Sequence, residues 1–276
     1  MEDKHSCLMV GLPSAGKSTY LAAFWAIEKE GNTGHLVSCR RYPPETKYLD
    51  ELKNNWLQQE LVKRTTLGSE ILLELMSTET GQDLSLLIPD FRGESFRSIL
   101  TNNIDDALYN WVLKANSILF FIHHIPMDYL KDEIRLDEAA QEPTSNPAFS
   151  LSSVSLWIQN IMVLKYISDV CGKSIPISIC FSAWDEIGVE DESVMEWIKK
   201  EHPFFYNFVI THFSKVKFFG VSAQGKAYKE GKDGFDEELD NLTEKKQRAY
   251  VYTDHKSNDI TEPIAFLLES TNILAL

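Results

Sequence analysis

The stretch "VGLPSAGKSTY", Val10 to Tyr20, decides the fold of this chain. Gly11 is followed after four residues by Gly16, Lys17 and Ser18, which fits the phosphate-binding pattern G-x-x-x-x-G-K-[ST]. Glycines allow backbone N–H groups to point inward at phosphate oxygens. The Lys17 ammonium is placed to reach the β and γ phosphates, and the Ser18 hydroxyl to bind Mg2+. The pattern therefore predicts a nucleotide-binding loop.

The residues on either side of this loop favour the same interpretation over an ordinary glycine turn. The apolar run His5–Val10 predicts a buried strand, and helical apolar spacing follows at Leu21, Phe24, Trp25 and Ile27. A strand, a glycine loop and a helix N-terminus in this order point N–H dipoles at an anionic ligand.

Farther along the chain, apolar strand-like runs alternate with helical ones. Strands are predicted at Ser69–Met76, Leu84–Asp90, Asn116–His124, Ser174–Asp185 and Lys215–Ala223. Helices are predicted at 94–113, 153–170, 193–213 and 261–269. This alternation predicts an α/β fold in which a mostly parallel sheet has helices on both faces. The first two of these strands form a hairpin, which predicts one antiparallel edge strand.

Composition predicts a single domain over residues 1–276, with insertions at 31–69, 126–152 and 224–259, the last of them exposed. The net charge of −14 disfavours direct binding to nucleic acid, which depends on Lys and Arg. Neither a leader peptide nor a membrane segment fits the sequence, so we expect a cytoplasmic protein. Four scattered cysteines have no metal-type spacing, and we interpret them as free thiols.

A second phosphate motif follows the predicted strand that ends at Asp90. In "IPDFRGESF", Asp90 and Gly93 match D-x-x-G. The carboxylate of Asp90 is placed to hold Mg2+ through a water, and the Gly93 N–H to contact the γ phosphate. The sequence therefore predicts a γ-phosphate sensor at this strand end.

Two further motifs bear on the base. In "CFSAWDEIG", Ser182 to Asp185 resembles N-K-x-D, and a carboxylate at Asp185 accepts from the guanine N1 and N2 groups, donors that adenine lacks. Ala183 replaces the usual lysine and Ser182 the usual asparagine, while Trp184 lies either near the base or in the core. After the last predicted strand, Ser222 and Ala223 resemble the S-A motif whose backbone N–H contacts guanine O6.

The catalytic candidates each have more than one interpretation. Thr65 is the preferred switch ligand of Mg2+, with Thr66 as the alternative. Glu94 follows the D-x-x-G glycine and either orients the attacking water or is an acid at a helix N-terminus. Arg64 either stabilises transition-state charge or forms a surface ion pair, and Arg92 is a weaker candidate. His123 and His124 are interpreted as strand-end residues, since neighbours on a strand face opposite sides.

Together these residues resemble the TRAFAC class of P-loop GTPases, and within it the bacterial double-GTPase domain. The resemblance extends from Cys7 to Leu268 and includes the "RT" switch, "TGQDLSLLIPDFRGESFR", the "WD" base motif and "EPIAFLL". It implies a Ras-like P-loop fold, slow Mg2+-dependent hydrolysis of GTP, and a regulatory role with protein partners. It also implies a place in a bacterial conflict or antiphage system.

The nucleotide-binding set predicted here is Gly11, Ser14, Ala15, Gly16, Lys17, Ser18, Thr19, Gly93, Asp185, Ser222 and Ala223. The catalytic candidates are Lys17, Glu94 and Arg64, and the metal ligands are Ser18, Thr65 and Asp90. Two alternatives stay open at this point. An ATP-using P-loop enzyme is favoured by Ala183, and a nucleotide-binding scaffold with little hydrolysis is favoured by Glu94.

Overall fold

The run before the phosphate loop forms the central strand of the fold, as the sequence predicts. A computed structural model describes residues 5–31, 34–60, 70–89, 99–100, 104, 106–123, 155–189, 191–226, 228 and 248–272. The predictions made for 61–69, 90–98 and 124–154 lie outside these described residues.

The described strands make one nine-stranded sheet. In chain order they are β1 (His5–Gly11), β2 (Val37–Arg41), β3 (Ile71–Ser77), β4 (Asp83–Ile88), β5 (Ser117–His123), β6 (Ile177–Ser182), β7 (Val216–Ser222), β8 (Tyr250–Tyr252) and β9 (Lys256–Ser257). Their order across the sheet is β2-β3-β4-β1-β5-β6-β7-β8-β9. The central strands β4, β1, β5, β6 and β7 are mutually parallel, and antiparallel pairs extend both edges.

Helices cover both faces of this sheet, which confirms the predicted α/β fold. In chain order they are α1 (Lys17–Lys29), α2 (Lys47–Leu57), α3 (Asp106–Lys114), α4 (Leu156–Cys171), α5 (Trp184–Ile187), α6 (Val194–Glu201), α7 (Pro203–His212) and α8 (Glu262–Asn272). Helices α1, α2 and α8 share one apolar core with the sheet. Helices α3, α4, α6 and α7 pack into a second core on the other face.

The edges of the sheet differ from the prediction of one antiparallel strand. Strand β2 lies outside β3, and β8 and β9 extend the opposite edge. The prediction that residues 224–259 are exposed is wrong at β8, where Val251 is fully buried. The helix predicted over 193–213 is two helices, because Pro203 has no N–H to continue α6 and instead begins α7.

A half-buried carboxylate joins the start of β2 to the start of α8. The Asp259 carboxylate accepts hydrogen bonds from the Leu36 N–H at 2.7 Å and the Thr261 N–H at 2.8 Å, and it contacts His35 Nδ1 at 2.9 Å. Burial opposes ionisation, yet hydrogen bonds from His35, Thr261 and Leu36 hold the pKa of Asp259 below its usual value. The segment before β2 is thereby fixed to the closing helix.

Within the described residues, no helix has both the length and the apolar character that crossing a membrane requires.

A glycine in β7 makes room for the side chain that follows β6. Trp184 is 2% exposed and stacks on Tyr252, with ring centroids 5.9 Å apart. A Cβ built at Gly220 would overlap the Trp184 ring. Trp184 therefore belongs to the core and does not cover the base, which decides between the two interpretations of the sequence.

We expect Gly220→Ala to lower the free energy of unfolding by about 2–3 kcal/mol, because the added methyl group forces the Trp184 ring out of place. Urea denaturation measures the change. In a Trp184→Leu background the same substitution should cost much less, since the obstructing ring is absent. An equal cost in both backgrounds would contradict the packing described here.

Candidate functional site

Three of the predicted motifs follow strands that end at the same edge of the parallel part of the sheet. Gly11 at the end of β1 pairs with Phe121 of β5, and Ser182 at the end of β6 pairs with His123 of β5 and Val221 of β7. The loops that follow β1, β6 and β7 therefore lie at the same edge, with β5 between β1 and β6. In open α/β sheets this edge is where ligands bind.

The phosphate loop leads directly into the N-terminus of α1. Gly16 is the N-cap residue in a left-handed conformation (φ 86°), and no side chain caps the first turn among the described residues. The backbone N–H groups of Lys17, Ser18 and Thr19 begin a helix of 13 residues whose first turn carries no acidic residue. Uncapped N–H groups at a helix N-terminus suit an anion such as a phosphate group.

Two glycines bring the loop close to its neighbours, as the motif predicts. A Cβ at Gly11 would lie 2.6 Å from the Phe121 carbonyl oxygen, and one at Gly16 would lie 2.6 Å from the Ser182 Cβ. Ser14 also has a positive φ of 59°, and Ala15 is buried beneath the loop. These residues form a backbone cradle that fits the phosphates of a nucleotide.

We expect Gly16→Ala to abolish nucleotide binding, because the new methyl group collides with Ser182 and α1 moves away from β6. Gly81→Ala is the matched control, since Gly81 also has a positive φ (70°) but has open space around its Cα. Both variants carry a similar backbone strain of about 1 kcal/mol. Calorimetric titration with GDP measures the difference, and equal binding by the two variants would show that the contact is unimportant.

Lys17 bonds to its own loop. Its Nζ donates to the Gly11 carbonyl at 2.7 Å and to the Leu12 carbonyl at 2.9 Å. Burial of the ammonium group lowers the pKa of Lys17 from 10.5 to about 7. A phosphate anion near Nζ favours the charged form, so ligand binding and protonation of Lys17 are coupled.

We expect nucleotide binding at pH 8 to take up about one proton, because Lys17 is largely neutral beforehand and charged beside the phosphates. Titration calorimetry in buffers of different ionisation enthalpy measures this uptake. Lys17→Arg should bind without it, since a guanidinium does not lose its proton. Absence of uptake in the unmodified protein would show that its ammonium is charged before binding.

The same shift in the pKa of Lys17 gives stability a pH dependence. Between pH 7 and pH 10.5 the unfolded chain binds this proton and the folded protein does not. The contribution of Lys17 to the free energy of unfolding therefore rises with pH across that window.

The loop after β6 makes a close contact with the phosphate loop and contains a strained residue. The Ser182 side chain is buried against Gly16, and its Oγ donates weakly to the Ile122 carbonyl at 3.4 Å. Ala183 adopts a left-handed conformation (φ 54°, ψ 43°), which is strained for a residue with a Cβ. Asp185 lies partly exposed in the single turn of α5. Ser182 thus brings the start of this loop against the phosphate loop, and Asp185, the predicted base-recognising carboxylate, follows three residues later.

The loop after β7 is fixed by side chains on both sides. Ser222 is buried, and its Oγ accepts a hydrogen bond from the Gly225 N–H at 3.0 Å. The Ala223 carbonyl accepts one from the Trp56 indole at 2.7 Å. Trp56 was missed by the motif analysis, although the buried residues Leu49, Leu52 and Trp56 of α2 recur at helical spacing and could have revealed the helix.

Several predicted residues lie outside the described part of the chain. They are Arg64, Thr65, Thr66, Asp90, Arg92, Gly93, Glu94 and His124. Of the predicted Mg2+ ligands, Ser18 is described and is the second residue of α1. His123 ends β5, as the sequence predicts. The described residues contain no group of three or more His, Cys, Asp or Glu side chains that could hold a metal ion.

Comparison with known proteins identifies a family for nearly the whole chain. The model of the family DO-GTPase1, described as Double-GTPase 1, matches residues 8–267. No curated protein matches the sequence.

Among solved structures, similarity is found to GTPases at low sequence identity. The GTPase-like domain of S. cerevisiae Ski7 bound to GTP aligns with a TM-score of 0.45 and 13% identity, covering 98% of this chain and 50% of that one. This chain thus spans half the length of that structure. The signal recognition particle receptor SRb–GTP/SRX complex from Chaetomium thermophilum aligns with a TM-score of 0.38 and 15% identity, covering 83% and 93%.

Proposed function

The chain belongs to the Double-GTPase 1 family, and from that premise we propose that it binds GTP with Mg2+, hydrolyses it slowly, and acts as a switch for protein partners. Membership supports a GTPase in general. The finer proposal, which also places the chain in the TRAFAC class, depends on how the residues of the site are arranged.

One observation carries the proposal. The uncapped N-terminus of α1, the Asp185 turn and the Ser222–Ala223 loop follow the parallel strands β1, β6 and β7, and all three lie at one edge of the sheet. Gly16 touches Ser182, so the phosphate-binding part of the edge is in direct contact with the base-binding part. A ligand that carries phosphates at one end and a purine at the other fits this arrangement.

Each described residue has a defined role in this proposal. The first-turn N–H groups of α1 bind phosphate oxygens, and Lys17 exchanges its two carbonyl contacts for the β and γ phosphates. The Ser18 hydroxyl is a ligand of Mg2+, which when bound neutralises charge on the phosphates. Asp185 accepts from the guanine N1 and N2 groups, and the Ala223 N–H donates to guanine O6.

The residues that act on the γ phosphate enter the proposal from the sequence. Thr65 and Asp90 complete the metal site, and the Gly93 N–H contacts the γ phosphate. Glu94 orients the attacking water, and as an acid beside a polyanion it gives slow turnover. Arg64 contributes positive charge to the transition state.

The proposed switch role concerns the connections that carry Thr65 and Gly93. Thr65 binds the Mg2+ that accompanies the γ phosphate and the Gly93 N–H contacts that phosphate, so both contacts change after hydrolysis. We expect a protein partner that responds to this switch. Such a partner either binds the GTP form or supplies a better catalytic group than Glu94. The resemblance to bacterial double-GTPase domains implies a place in a conflict or antiphage system, and it therefore supports partners that are encoded beside this chain.

We expect tight binding of GDP and much weaker binding of ADP in calorimetric titrations with Mg2+. Asp185→Ala should weaken GDP binding by about a hundredfold, because charge-assisted hydrogen bonds to the base are lost, and should change ADP binding little. Asp191→Ala is the matched control, since it removes an exposed carboxylate from the loop that follows α5.

Other outcomes of this experiment decide against the proposal. Equal affinity for ADP and GDP would favour an ATP-using enzyme, for which the missing lysine at Ala183 is the supporting observation. Tight GDP binding without phosphate release from GTP over many hours would indicate a nucleotide-binding scaffold.

A further inference from the structure

The C-terminal end of α2 contacts the base loop, residues 222–226 at the end of β7, which the proposed function assigns to the guanine base. Trp56 is 1% exposed, and its indole Nε1 donates to the Ala223 carbonyl at 2.7 Å. Helix α2 belongs to the long connection between α1 and β3, which a minimal fold of this kind does not need. A residue of this insertion therefore fixes the backbone of the base loop directly.

Arg248 packs against Trp56, the residue that contacts the base loop. The side chain is buried, its guanidinium lies over the Trp56 ring at 3.6 Å from the centroid, and it donates to the Trp56 carbonyl. It also donates to the Tyr228 hydroxyl at 2.9 Å. Arg248 precedes β8, which pairs Tyr250 with Ser222 at the end of β7. The pairing brings Arg248 alongside the base loop.

The backbone of the base loop is closely enclosed by this pair. A Cβ at Gly225 would lie 2.6 Å from the Arg248 carbonyl oxygen, and Gly225 has a left-handed φ of 84°. The Gly225 N–H closes the loop onto Ser222 Oγ at 3.0 Å. Movement of Trp56 or Arg248 therefore displaces the base loop, because Trp56 contacts Ala223 and Arg248 contacts Gly225 directly.

We propose that Trp56 and Arg248 are positioning residues for guanine selectivity: they hold the backbone on both sides of the Ala223 Cα so that the Ala223 N–H faces the base. The inference rests on the proposed function and deepens it by naming what fixes the base loop. The Trp56 indole N–H donates a hydrogen bond to the Ala223 carbonyl, and this bond orients the loop backbone. Arg248 in turn holds the Trp56 ring and carbonyl.

The electrostatic surroundings place Asp185 close to the same cluster. Burial raises the pKa of Tyr228 to about 12, and the charge of Asp185 adds to that rise while Arg248 opposes it. The hydroxyl that accepts from Arg248 therefore lies within electrostatic reach of the carboxylate proposed to recognise guanine. Asp185 is thus electrostatically coupled to the Tyr228 hydroxyl of this cluster.

The test is Trp56→Phe, which keeps an aromatic ring beneath Arg248 but removes the indole donor. We expect the dissociation rate of a fluorescent GDP analogue to rise about tenfold, because the Ala223 carbonyl loses a buried hydrogen bond. Binding of the ADP analogue should stay within about twofold, since adenine has no acceptor at the O6 position for this N–H. The preference for GDP over ADP should fall accordingly.

Trp25→Phe is the matched control. Trp25 is also fully buried, and its indole donates to Asp50 of α2 at 3.0 Å, away from the base loop. It should lower stability comparably and leave the nucleotide preference unchanged. Arg248→Lys should shift the preference in the same direction as Trp56→Phe, and it carries the test if Trp56→Phe does not fold. Equal dissociation rates for the Trp56 and Trp25 variants would overturn the proposal.

Hydrogen exchange without nucleotide separates this inference from the proposed function. Amide exchange over residues 222–226 should become faster in Trp56→Phe and stay unchanged in Trp25→Phe. The Trp56 indole donates to Ala223 in this loop, whereas the Trp25 indole donates to Asp50. If the unmodified protein shows no guanine preference, the proposed function fails while faster exchange still supports the positioning contact. If the preference exists but neither exchange nor preference responds to Trp56→Phe, the inference alone fails.

Discussion

The site depends on the close approach of the Gly16 backbone to the Ser182 side chain. The phosphate loop follows β1 and Ser182 ends β6, with β5 between the two strands. A nucleotide joins its phosphates and base by a sugar of fixed size, so the distance between these two parts of the site must be fixed as well. The left-handed φ of Gly16 and the small side chain of Ser182 allow the contact. A bulkier residue at either position would separate the two halves of the ligand site.

The parallel core of the fold and the position of the site follow from local sequence patterns. Buried strands such as β5 and β6 are continuous apolar runs, and the glycine pattern has a geometric cause that requires no tertiary information. The edge strands could not be predicted in this way. Strand β9 has two residues and β8 has three, and β2 is held by the Asp259 carboxylate from a distant part of the chain.

The contacts that fix the site were harder to predict than its motifs. Trp56 and Ala223 are 167 residues apart in the sequence, so no local pattern links them. Trp184 could be assigned to the base or the core from sequence, and the decision came from Gly220, whose missing side chain accommodates the ring. Pattern thus predicts which residues recognise a ligand, while packing shows which residues hold them in place.

The position of α2 gives the proposed switch a physical path between the two ends of the nucleotide. One end of α2 contacts the base loop through Trp56, and the chain continues from Leu57 toward the candidate switch residue Thr65. Coupling free energies are reciprocal, so a ligand contact that favours one position of this connection also changes how firmly the base loop is held. The buried Trp56 therefore links the base loop to the segment that leads toward Thr65.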